Sequence, residues 1–220
     1  MLTNALRGLA AAALLTLPFT APAAADTPRV IAPLPLAAAV DLLPSAVESR
    51  DGYQRSSFKH WIDADRDGCT TRAEVLIAES RTEPAIEARC KVTAGTWFSY
   101  YDGVTLTAPG GLDIDHMVPL AEAWDSGASA WTAERREAYA NDLDAERSLV
   151  AVTARTNRSK ADQDPADWLP PLADARCTYA TDWVATKLRW QLAVDEREHG
   201  ALAELAEGCG QEMVDYEPAP

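Results

Sequence analysis

The chain has 220 residues, 47% of them hydrophobic, and a formal net charge of −14. This length suits one domain with a hydrophobic core, alone or with an extension. The acidity argues against tight, sequence-independent binding of nucleic acid through a basic face, although a nuclease that uses a divalent cation as its local positive charge stays open.

The first 25 residues are predicted to be a signal peptide. Arg7 provides a short basic region, Leu9 to Leu17 an apolar segment, and Ala23 to Ala25 a small-residue cleavage site. Two prolines interrupt the apolar run before it could span a bilayer, and no later segment is long and apolar enough to do so. The mature, secreted chain is therefore expected to begin at Asp26, with no membrane span.

The residues that follow divide into a leader, a domain and a tail. Residues 26–45 are rich in proline and alanine and are predicted to be extended, with ordered structure beginning near Leu42. Tyr53 to Trp61 is the first predicted helix. One domain is expected over residues 46–210, and residues 211–220 form a short tail.

The cysteines predict disulfide bonds, because an exported protein folds in an oxidising compartment. Sequence alone allows three pairings of Cys69, Cys90, Cys177 and Cys209. The local pairing, Cys69 with Cys90 and Cys177 with Cys209, closes the shorter loops and is the one we expect. A four-cysteine zinc site is the competing interpretation, but no Cys-x-x-Cys spacing supports it.

An acidic loop, residues 63–74, follows the first predicted helix. Its acids and Gly68 match the spacing of EF-hand ligands, in which oxygen atoms at alternating positions wrap a calcium ion. The calcium ligands would be Asp63, Asp65, Asp67 and Glu74. The alternative is an Asp/Gly-rich turn that caps the following helix, because the chain has no second loop of this kind to pair with the first.

Two β-prone runs, Trp97–Tyr101 and Val104–Thr107, flank an Asp-Gly turn and predict a β-hairpin. In the stretch after it, apolar and polar residues alternate from Leu112 to His116. This alternation predicts a strand whose polar face carries Asp113 and Asp115. A carboxylate beside an imidazole can hold a cation and take a proton from water.

A second polar cluster, residues 157–160, is expected to meet this strand. The elements predicted beyond the strand are a helix from Thr132 to about Asn141, a strand from Ser148 to Val152, a helix from Arg155 to Asp162, and two C-terminal helices from Ala175 to about Val194 and from Asp195 to Gly208. Tyr179, Trp183 and Trp190 recur at helical spacing, which is more typical of a core than of a ligand platform.

The ordered set of motifs resembles the HNH, or His-Me finger, endonucleases, and most closely the secreted bacterial members of that family. The resemblance covers roughly residues 50–205. It rests on Trp-Phe-Ser-Tyr-Tyr-Asp-Gly, Asp-Ile-Asp-His-Met-Val-Pro-Leu-Ala-Glu-Ala-Trp, Ala-Asn-Asp-Leu, Asn-Arg-Ser-Lys and Asp-Pro-Ala-Asp-Trp-Leu-Pro. It implies an α+β fold with a ββα-metal core and a β-hairpin, wrapped by helices from both ends.

The resemblance also implies a role for each site residue. Asp115 and Asn157 would be metal ligands, His116 the general base, and Lys160 a phosphate contact. Arg158, with Arg155, flanks Asn157 and would steer the phosphate backbone. Oxygen ligands with open coordination positions favour Mg²⁺, Mn²⁺ or Ca²⁺ over a closed zinc site, and Mg²⁺ or Mn²⁺ is the cofactor that we expect.

One position departs from the family pattern. The middle Asn of the HNH motif falls at or near Ser148, so either the Ser148 hydroxyl or Asn141 is expected to brace the loop that carries the histidine. Asp113 is expected to be solvated rather than a partner in the site. His60 and His199 are expected to be surface or helix residues without a ligand role.

The expected function is that of a secreted, monomeric, metal-dependent endonuclease of DNA, with RNA as an alternative substrate and little sequence preference. A non-catalytic exported calcium-binding module with a structural HNH remnant is the second hypothesis. It predicts the loss of one member of the Asp115–His116–Asn157 trio, and the sequence retains all three. A metallohydrolase of another phosphoester is the third hypothesis.

Overall fold

The computed structural model describes residues 32–220, so the predicted signal peptide lies outside the described residues. The helices are α1 (Leu36–Val40), α2 (Thr71–Ala78), α3 (Leu120–Asp125), α4 (Ala133–Ala140), α5 (Ala154–Lys160), α6 (Arg176–Trp190) and α7 (Glu196–Gly208). The strands are β1 (Leu34–Pro35), β2 (Ala85–Glu87), β3 (Lys91–Ala94), β4 (Trp97–Ser99), β5 (Val104–Leu106), β6 (Leu112–His116), β7 (Leu149–Thr153) and β8 (Met213–Val214). The strands form four antiparallel pairs, β1–β8, β2–β3, β4–β5 and β6–β7. The predicted α+β class is confirmed.

Secondary structure is present before Leu42, the residue near which ordered structure is predicted to begin. Residues 34–40 form β1 and α1, so the expectation of an extended leader as far as residue 45 is wrong for this part of the chain. The reason is burial: Leu36, Ala39 and Val40 lie in the core, where α1 contacts α6 and α7. β1 pairs with β8, which lies in the predicted tail.

The predicted helix from Tyr53 to Trp61 is also wrong. Only Arg55–Ser57 is helical, as a single 3-10 turn. Within this stretch only Phe58 is fully buried, so the segment has no apolar stripe of the kind that stabilises a surface helix by packing.

The β6–β7 ribbon lies between two apolar clusters. Leu149 and Ala151 of β7 belong to a smaller cluster with α2, whereas Val150 and Val152 belong to a larger cluster around α6. Successive side chains of a strand point to opposite faces, so a strand covered on both faces is apolar throughout. This explains why β7 carries a continuous hydrophobic run.

β6 contributes to the smaller cluster through Leu112 and Ile114, and this leaves Asp113 and Asp115 on its other face. The predicted alternation is therefore confirmed. α5 begins at Ala154, directly after β7, and contacts both strands of the ribbon. The short connection returns the polar residues of α5 to the end of β6.

The hairpin β4–β5 forms as predicted, with Gly103 at φ 72° in its turn. The Asp102 carboxylate in the same turn accepts hydrogen bonds from the hydroxyls of Thr153 and Thr156, the latter at 2.6 Å. Partial burial opposes the charge of Asp102, but hydrogen bonds from these hydroxyls outweigh it and lower its pKa. The hairpin turn thereby anchors the start of α5.

Both predicted disulfide bonds form, Cys69–Cys90 and Cys177–Cys209, and the zinc alternative is wrong. The second bond joins the start of α6 to the end of α7. The predicted C-terminal helices are confirmed, and the Asp195 side chain caps α7 by accepting a hydrogen bond from the backbone N–H of Glu198 at 2.7 Å. Between residues 32 and 220, none of the helices combines the length and apolarity needed to cross a bilayer.

Candidate active site at the end of β6

One cleft of about 290 Å³ brings together three distant parts of the chain. It is lined by residues from β6 and the turn after it, from α5 and its C-terminal end, and from the 3-10 turn before the acidic loop. These residues are Ile114, Asp115, His116, Pro119, Leu120, Asn157, Arg158, Ala161, Asp162 and Arg55. The predicted trio and Arg158 therefore line one cleft.

His116 is buried and neutral. Its Nε2 lies 2.9 Å from the carbonyl oxygen of Ala140. Because a carbonyl can only accept, Nε2 carries the hydrogen, and the lone pair of the neutral ring is on Nδ1. Burial lowers the pKa of His116 to about 3. Of the main interactions that affect this pKa, only the hydrogen bond to Ala140 raises it. The ring is therefore uncharged near neutral pH.

The predicted bracing of His116 by Ser148 or Asn141 is wrong. The Ser148 hydroxyl donates to the carboxylate of Asp142 at 2.8 Å, and the Asn141 side chain bonds other segments. The brace is the backbone carbonyl of Ala140. A backbone carbonyl has no side-chain signature, so sequence reasoning had no signal from which to identify it.

The segment that carries this carbonyl is itself anchored. Asp142 accepts hydrogen bonds from Arg189 and from the Trp190 indole of α6, each at 2.8 Å. On the other side, the Tyr139 hydroxyl donates to the carbonyl of Val118, just beyond β6. These bonds fix the Ala140 carbonyl between the last turn of α6 and the residues that follow His116.

Asp115 is 6% exposed and uses one carboxylate oxygen for its internal contacts. Oδ2 accepts from the Tyr101 hydroxyl at 2.7 Å and from Lys160 Nζ at 2.5 Å. Within residues 32–220, Oδ1 takes part in no hydrogen bond. Burial raises the pKa of Asp115, and the ammonium group of Lys160 opposes this shift.

Lys160 does not face a substrate, so its predicted role as a phosphate contact is wrong. Its side chain is fully buried, and Nζ donates to the carbonyls of His116 at 3.0 Å and Met117 at 2.7 Å as well as to Asp115. Three aromatic rings surround the ammonium group at 5.6 to 5.9 Å. Lys160 therefore holds the end of β6 from inside the molecule.

On the outer side of the cleft, α5 presents Asn157 and Arg158. The Asn157 side chain is half-buried and makes no hydrogen bond with the described part of the chain, residues 32–220. Arg158 is exposed and its Nε lies 3.3 Å from Asp113, so Asp113 has an ionic partner rather than water alone. Arg155 is exposed and does not line the cleft.

Sequence reasoning missed Arg55. This residue lies on the 3-10 turn, lines the cleft, and forms no ion pair within residues 32–220. Its charge contributes to the low pKa of His116, which agrees with its position beside that ring. The wrong helix prediction for this segment gave no reason to place Arg55 near the site.

Three rings adjoin His116, those of Trp61, His60 and, at 6.4 Å, Tyr139. The ring centroid of Trp61 lies 5.4 Å from that of His116, with the planes 31° apart, and the His60 ring lies 6.3 Å away. The absence of a ligand role for His60 stays a prediction, although its ring lies close to that of His116. His199 lies on α7, as expected.

Trp61 has a strained backbone. Its φ of 60° is unusual for a bulky residue and costs on the order of 1–3 kcal/mol. The Asn141 side chain holds both flanks of Trp61, because Nδ2 donates to the Lys59 carbonyl at 2.8 Å and Oδ1 accepts from the Ile62 N–H at 3.2 Å. Asn141, which directly follows Ala140 in the chain, therefore maintains this strained conformation.

The acidic loop gathers three of its four predicted calcium ligands. Oxygen atoms of Asp63, Asp65 and Asp67 all lie within 4.8 Å of one another, and Gly68 adopts φ 98° at the bend. Partial burial, followed by the charges of the three aspartates, raises the pKa of Glu74. Calcium binding stays a prediction.

A second group of carboxylates already has a cation. Glu48, Glu122 and Glu198 bring oxygen atoms within 4.8 Å of one another. Lys187 Nζ lies 2.9 Å from Glu122 and 2.5 Å from Glu198. The ammonium group takes the place that a metal ion would need.

Comparison with known proteins supports a nuclease. Residues 62–205 match the family model described as GmrSD restriction endonucleases, C-terminal domain. The chain is also similar to an uncharacterized secreted protein of Arthroderma benhamiae, with 42% identity over 160 residues that cover 73% of this chain and 77% of the relative. No solved structure matches the chain. The secreted relative and the two disulfide bonds confirm the predicted extracellular location, and the relative is fungal rather than bacterial.

Proposed function

The chain belongs to the family of the C-terminal domain of GmrSD restriction endonucleases, and from this membership and the cleft we propose that it is a secreted, monomeric, metal-dependent endonuclease of the HNH type. Its substrate would be DNA, with RNA as the alternative and little sequence preference. The observation that carries the proposal is the neutral His116, with its lone pair on Nδ1, in the same cleft as Asp115 and Asn157.

The local topology supports the HNH assignment. β6 and β7 pair antiparallel, α5 follows β7 without a linker, and the helix returns Asn157 to the end of β6. This order, strand, strand and helix, is the ββα arrangement that the resemblance implies. The intact trio also favours an enzyme over a calcium-binding module with a degenerate site.

His116 would be the general base. Because Nε2 is bound to the Ala140 carbonyl, Nδ1 is the nitrogen that can take a proton from the attacking water. Burial keeps the ring neutral before the reaction, and the Ala140 carbonyl stabilises the ring when it becomes positively charged. The carbonyl also fixes the direction in which the lone pair points.

The donor set fits a hard divalent cation such as Mg²⁺ or Mn²⁺. Asp115 has one carboxylate oxygen without an internal hydrogen bond, and the Asn157 amide is unbonded within residues 32–220. Two protein oxygens with room for water and phosphate suit these ions. When bound there, the cation would offset the charge that grows on the leaving 3′ oxygen.

Arg55 would contact the scissile phosphate in place of Lys160. It is a cation on the wall of the cleft without a carboxylate partner in the described chain, whereas Asp113 partly neutralises Arg158. A guanidinium group can donate two hydrogen bonds to a phosphate. Arg55 would thus provide the local positive charge that the acidic chain otherwise lacks.

Cleavage of supercoiled plasmid by the mature protein tests the proposal. We expect nicking in Mg²⁺ or Mn²⁺ that EDTA abolishes, leaving 5′-phosphate and 3′-hydroxyl ends. His116→Ala should lower the rate by about 10²–10⁴-fold, because the general base is lost. His199→Ala is the matched control and should retain full activity. Absence of cleavage by folded protein in every metal, or an active His116→Ala variant, would overturn the assignment.

A further inference from the structure

Trp61 differs from the tryptophans of the core. Trp97, Trp183 and Trp190 are buried, and their indole N–H groups donate to a carbonyl or carboxylate oxygen. Trp61 is only half-buried, and its indole N–H has no partner within residues 32–220. Its ring packs in part against the smaller apolar cluster and the rings of His60 and His116, and the remaining surface of the side chain is available to another molecule.

The position of Trp61 relative to the cleft is fixed. Its ring lies beside that of His116, with centroids 5.4 Å apart, and its flanks are clamped by Asn141. The residue before Asn141, Ala140, accepts a hydrogen bond from His116. Two consecutive residues therefore position both the proposed general base, His116, and Trp61. A strained backbone conformation held in this way at the edge of a site is typical of a functional residue.

We propose that Trp61 is a stacking platform for an unpaired nucleobase next to the scissile phosphate, so that the enzyme prefers single-stranded nucleic acid. This inference rests on the proposed nuclease function. Every base has a flat face, so stacking on an aromatic ring gives binding without sequence preference. In a duplex those faces are already stacked on neighbouring bases and are unavailable to Trp61.

The charge of the molecule favours the same substrate. A duplex carries about one negative charge per 1.7 Å of its axis, and proteins that bind it without sequence preference do so through many basic contacts. This chain carries a net charge of −14, and Arg55 and Arg158 are the arginines that line the cleft. A single strand has a lower charge density, and stacking replaces part of the missing electrostatic attraction.

A structural role for Trp61 is the competing explanation, in which its ring merely shields His116 from water. The two explanations differ in what happens when the base is removed from the substrate. A stacking platform contributes nothing to the cleavage of an abasic substrate, because no nucleobase is present to stack on it. A ring that shields His116 from water contributes equally to the cleavage of every phosphodiester.

The test uses a single-stranded oligonucleotide with one natural phosphodiester, its other linkages being uncharged methylphosphonates. A matched oligonucleotide carries abasic residues on both sides of the natural linkage. Trp61→Ala should lower kcat/KM on the first substrate by about 5- to 150-fold, the range of one base–aromatic stack, and change it less than about two-fold on the second. Trp61→Phe keeps a smaller aromatic ring, so its kcat/KM on the first substrate should lie between those of the wild-type protein and Trp61→Ala.

Trp131→Ala is the matched control. Trp131 is also half-buried with an unpartnered indole N–H within residues 32–220, but it packs on Tyr139 and Trp190 rather than on His116. Trp131→Ala should leave the ratio of the kcat/KM values on the two oligonucleotides unchanged. The same variants should also be compared on a duplex, where Trp61→Ala should reduce the preference of the enzyme for single strands.

An equal loss on both oligonucleotides, in Trp61→Ala protein whose thermal unfolding midpoint is unchanged, would overturn the platform and leave the shield. His116→Ala should lower the rate on both substrates by about 10²–10⁴-fold in either case. If His116→Ala cleaves them as fast as the wild-type protein, it is the nuclease proposal that fails, so the two failures are distinguishable.

Discussion

Two buried lysines lie near the same aromatic ring and have different surroundings. Lys160 and Lys187 are both fully buried, and their Nζ atoms lie 5.6 and 5.7 Å from the ring centroid of Trp183. Lys160 faces one carboxylate, Asp115, and two backbone carbonyls. Lys187 faces two carboxylates, those of Glu122 and Glu198, a serine hydroxyl and one carbonyl.

The difference lies in what each ammonium group fixes. Lys187 joins side chains of α3, α6 and α7, so its contacts stabilise the packing of helices. Lys160 joins α5 to the backbone at the end of β6, so its contacts fix the residues that line the cleft. Burial opposes the charge of Lys187, but Glu198 and Glu122 outweigh it and raise the pKa of Lys187. For Lys160, burial prevails and lowers the pKa, although the charges of Asp115 and, to a smaller extent, Asp162 and Glu122 oppose it.

Removing the Lys187 charge should give the largest loss of stability. Lys187→Met leaves two buried carboxylates without their cation, and we expect the free energy of unfolding to fall by about 3–5 kcal/mol. Urea unfolding of the mature protein measures this. Adding Glu198→Gln to the variant should recover part of the loss. A change below about 1 kcal/mol would mean that the charge of Lys187 is not needed for packing.

Removing the Lys160 charge should affect cleavage more than folding. Lys160→Met leaves a single carboxylate that Tyr101 still binds, so the stability loss should be smaller than in Lys187→Met. Cleavage should fall by about 100-fold, because the end of β6 loses its inner anchor and small displacements of reacting groups are costly. Exposed Lys59 provides the control as Lys59→Met. Equal effects of Lys160→Met and Lys59→Met on activity would refute the positioning role.

Glu79 is a partly buried carboxyl group that forms no ion pair within residues 32–220. Both of its oxygens lie 3.0 to 3.1 Å from the Ala151 N–H, and burial raises its pKa from 4.5 to about 7. The folded state therefore holds this proton more tightly than the unfolded state. The stabilisation of the folded state by the protonated Glu79 is complete below pH 4.5 and is lost as the pH rises through about 7.

We expect the folded protein to lose roughly 2 kcal/mol of stability from this group between pH 5 and pH 8. Glu79→Gln keeps a side-chain acceptor for Ala151 and should remove this part of the pH dependence. Urea unfolding at both pH values, with and without the substitution, gives the comparison. A pH dependence that Glu79→Gln does not alter would assign it to other groups.

The acidic loop should show the smallest effect. Within residues 32–220 its carboxylates have no ammonium group among them, so Ca²⁺ should raise stability by about 1.4 kcal/mol at about ten times its dissociation constant. Titration calorimetry and thermal unfolding in Ca²⁺ or EGTA measure this. Asp65→Asn should weaken binding, whereas exposed Asp51→Asn should not. Identical unfolding in Ca²⁺ and EGTA would favour a turn without an ion.

The sequence predicted what depends on local pattern. The alternation in β6, the Asp-Gly turn of the hairpin and the Asp195 cap of the last helix are local signals, and each led to the observed element. The short spacings between cysteines predicted both disulfide bonds. The convergence of Asp115, His116 and Asn157 followed from the resemblance to the HNH endonucleases, whose ββα unit brings these positions together.

The predictions that failed concern features that depend on tertiary contacts. Lys160 follows Asn157 by three residues, and nothing in that spacing shows which side of α5 faces the core. The two glutamates that bind Lys187 come from α3 and α7, far apart in sequence. Segment 53–61 has no regular element over most of its length because bonds from distant side chains, such as Asn141, hold it instead.

The pairing of β1 with β8 has a consequence for the order of folding. The N-terminal elements of the described chain find their partners near its C-terminal end, because β1 pairs with residues 213–214 and α1 contacts α7. The apolar side chains of Leu36 and Val40 therefore stay uncovered until nearly the whole chain is available. Such long-range contacts close slowly, whereas the hairpin β4–β5 needs only ten residues of chain. A nascent chain thus forms its local hairpin early and completes its core only when its two ends meet.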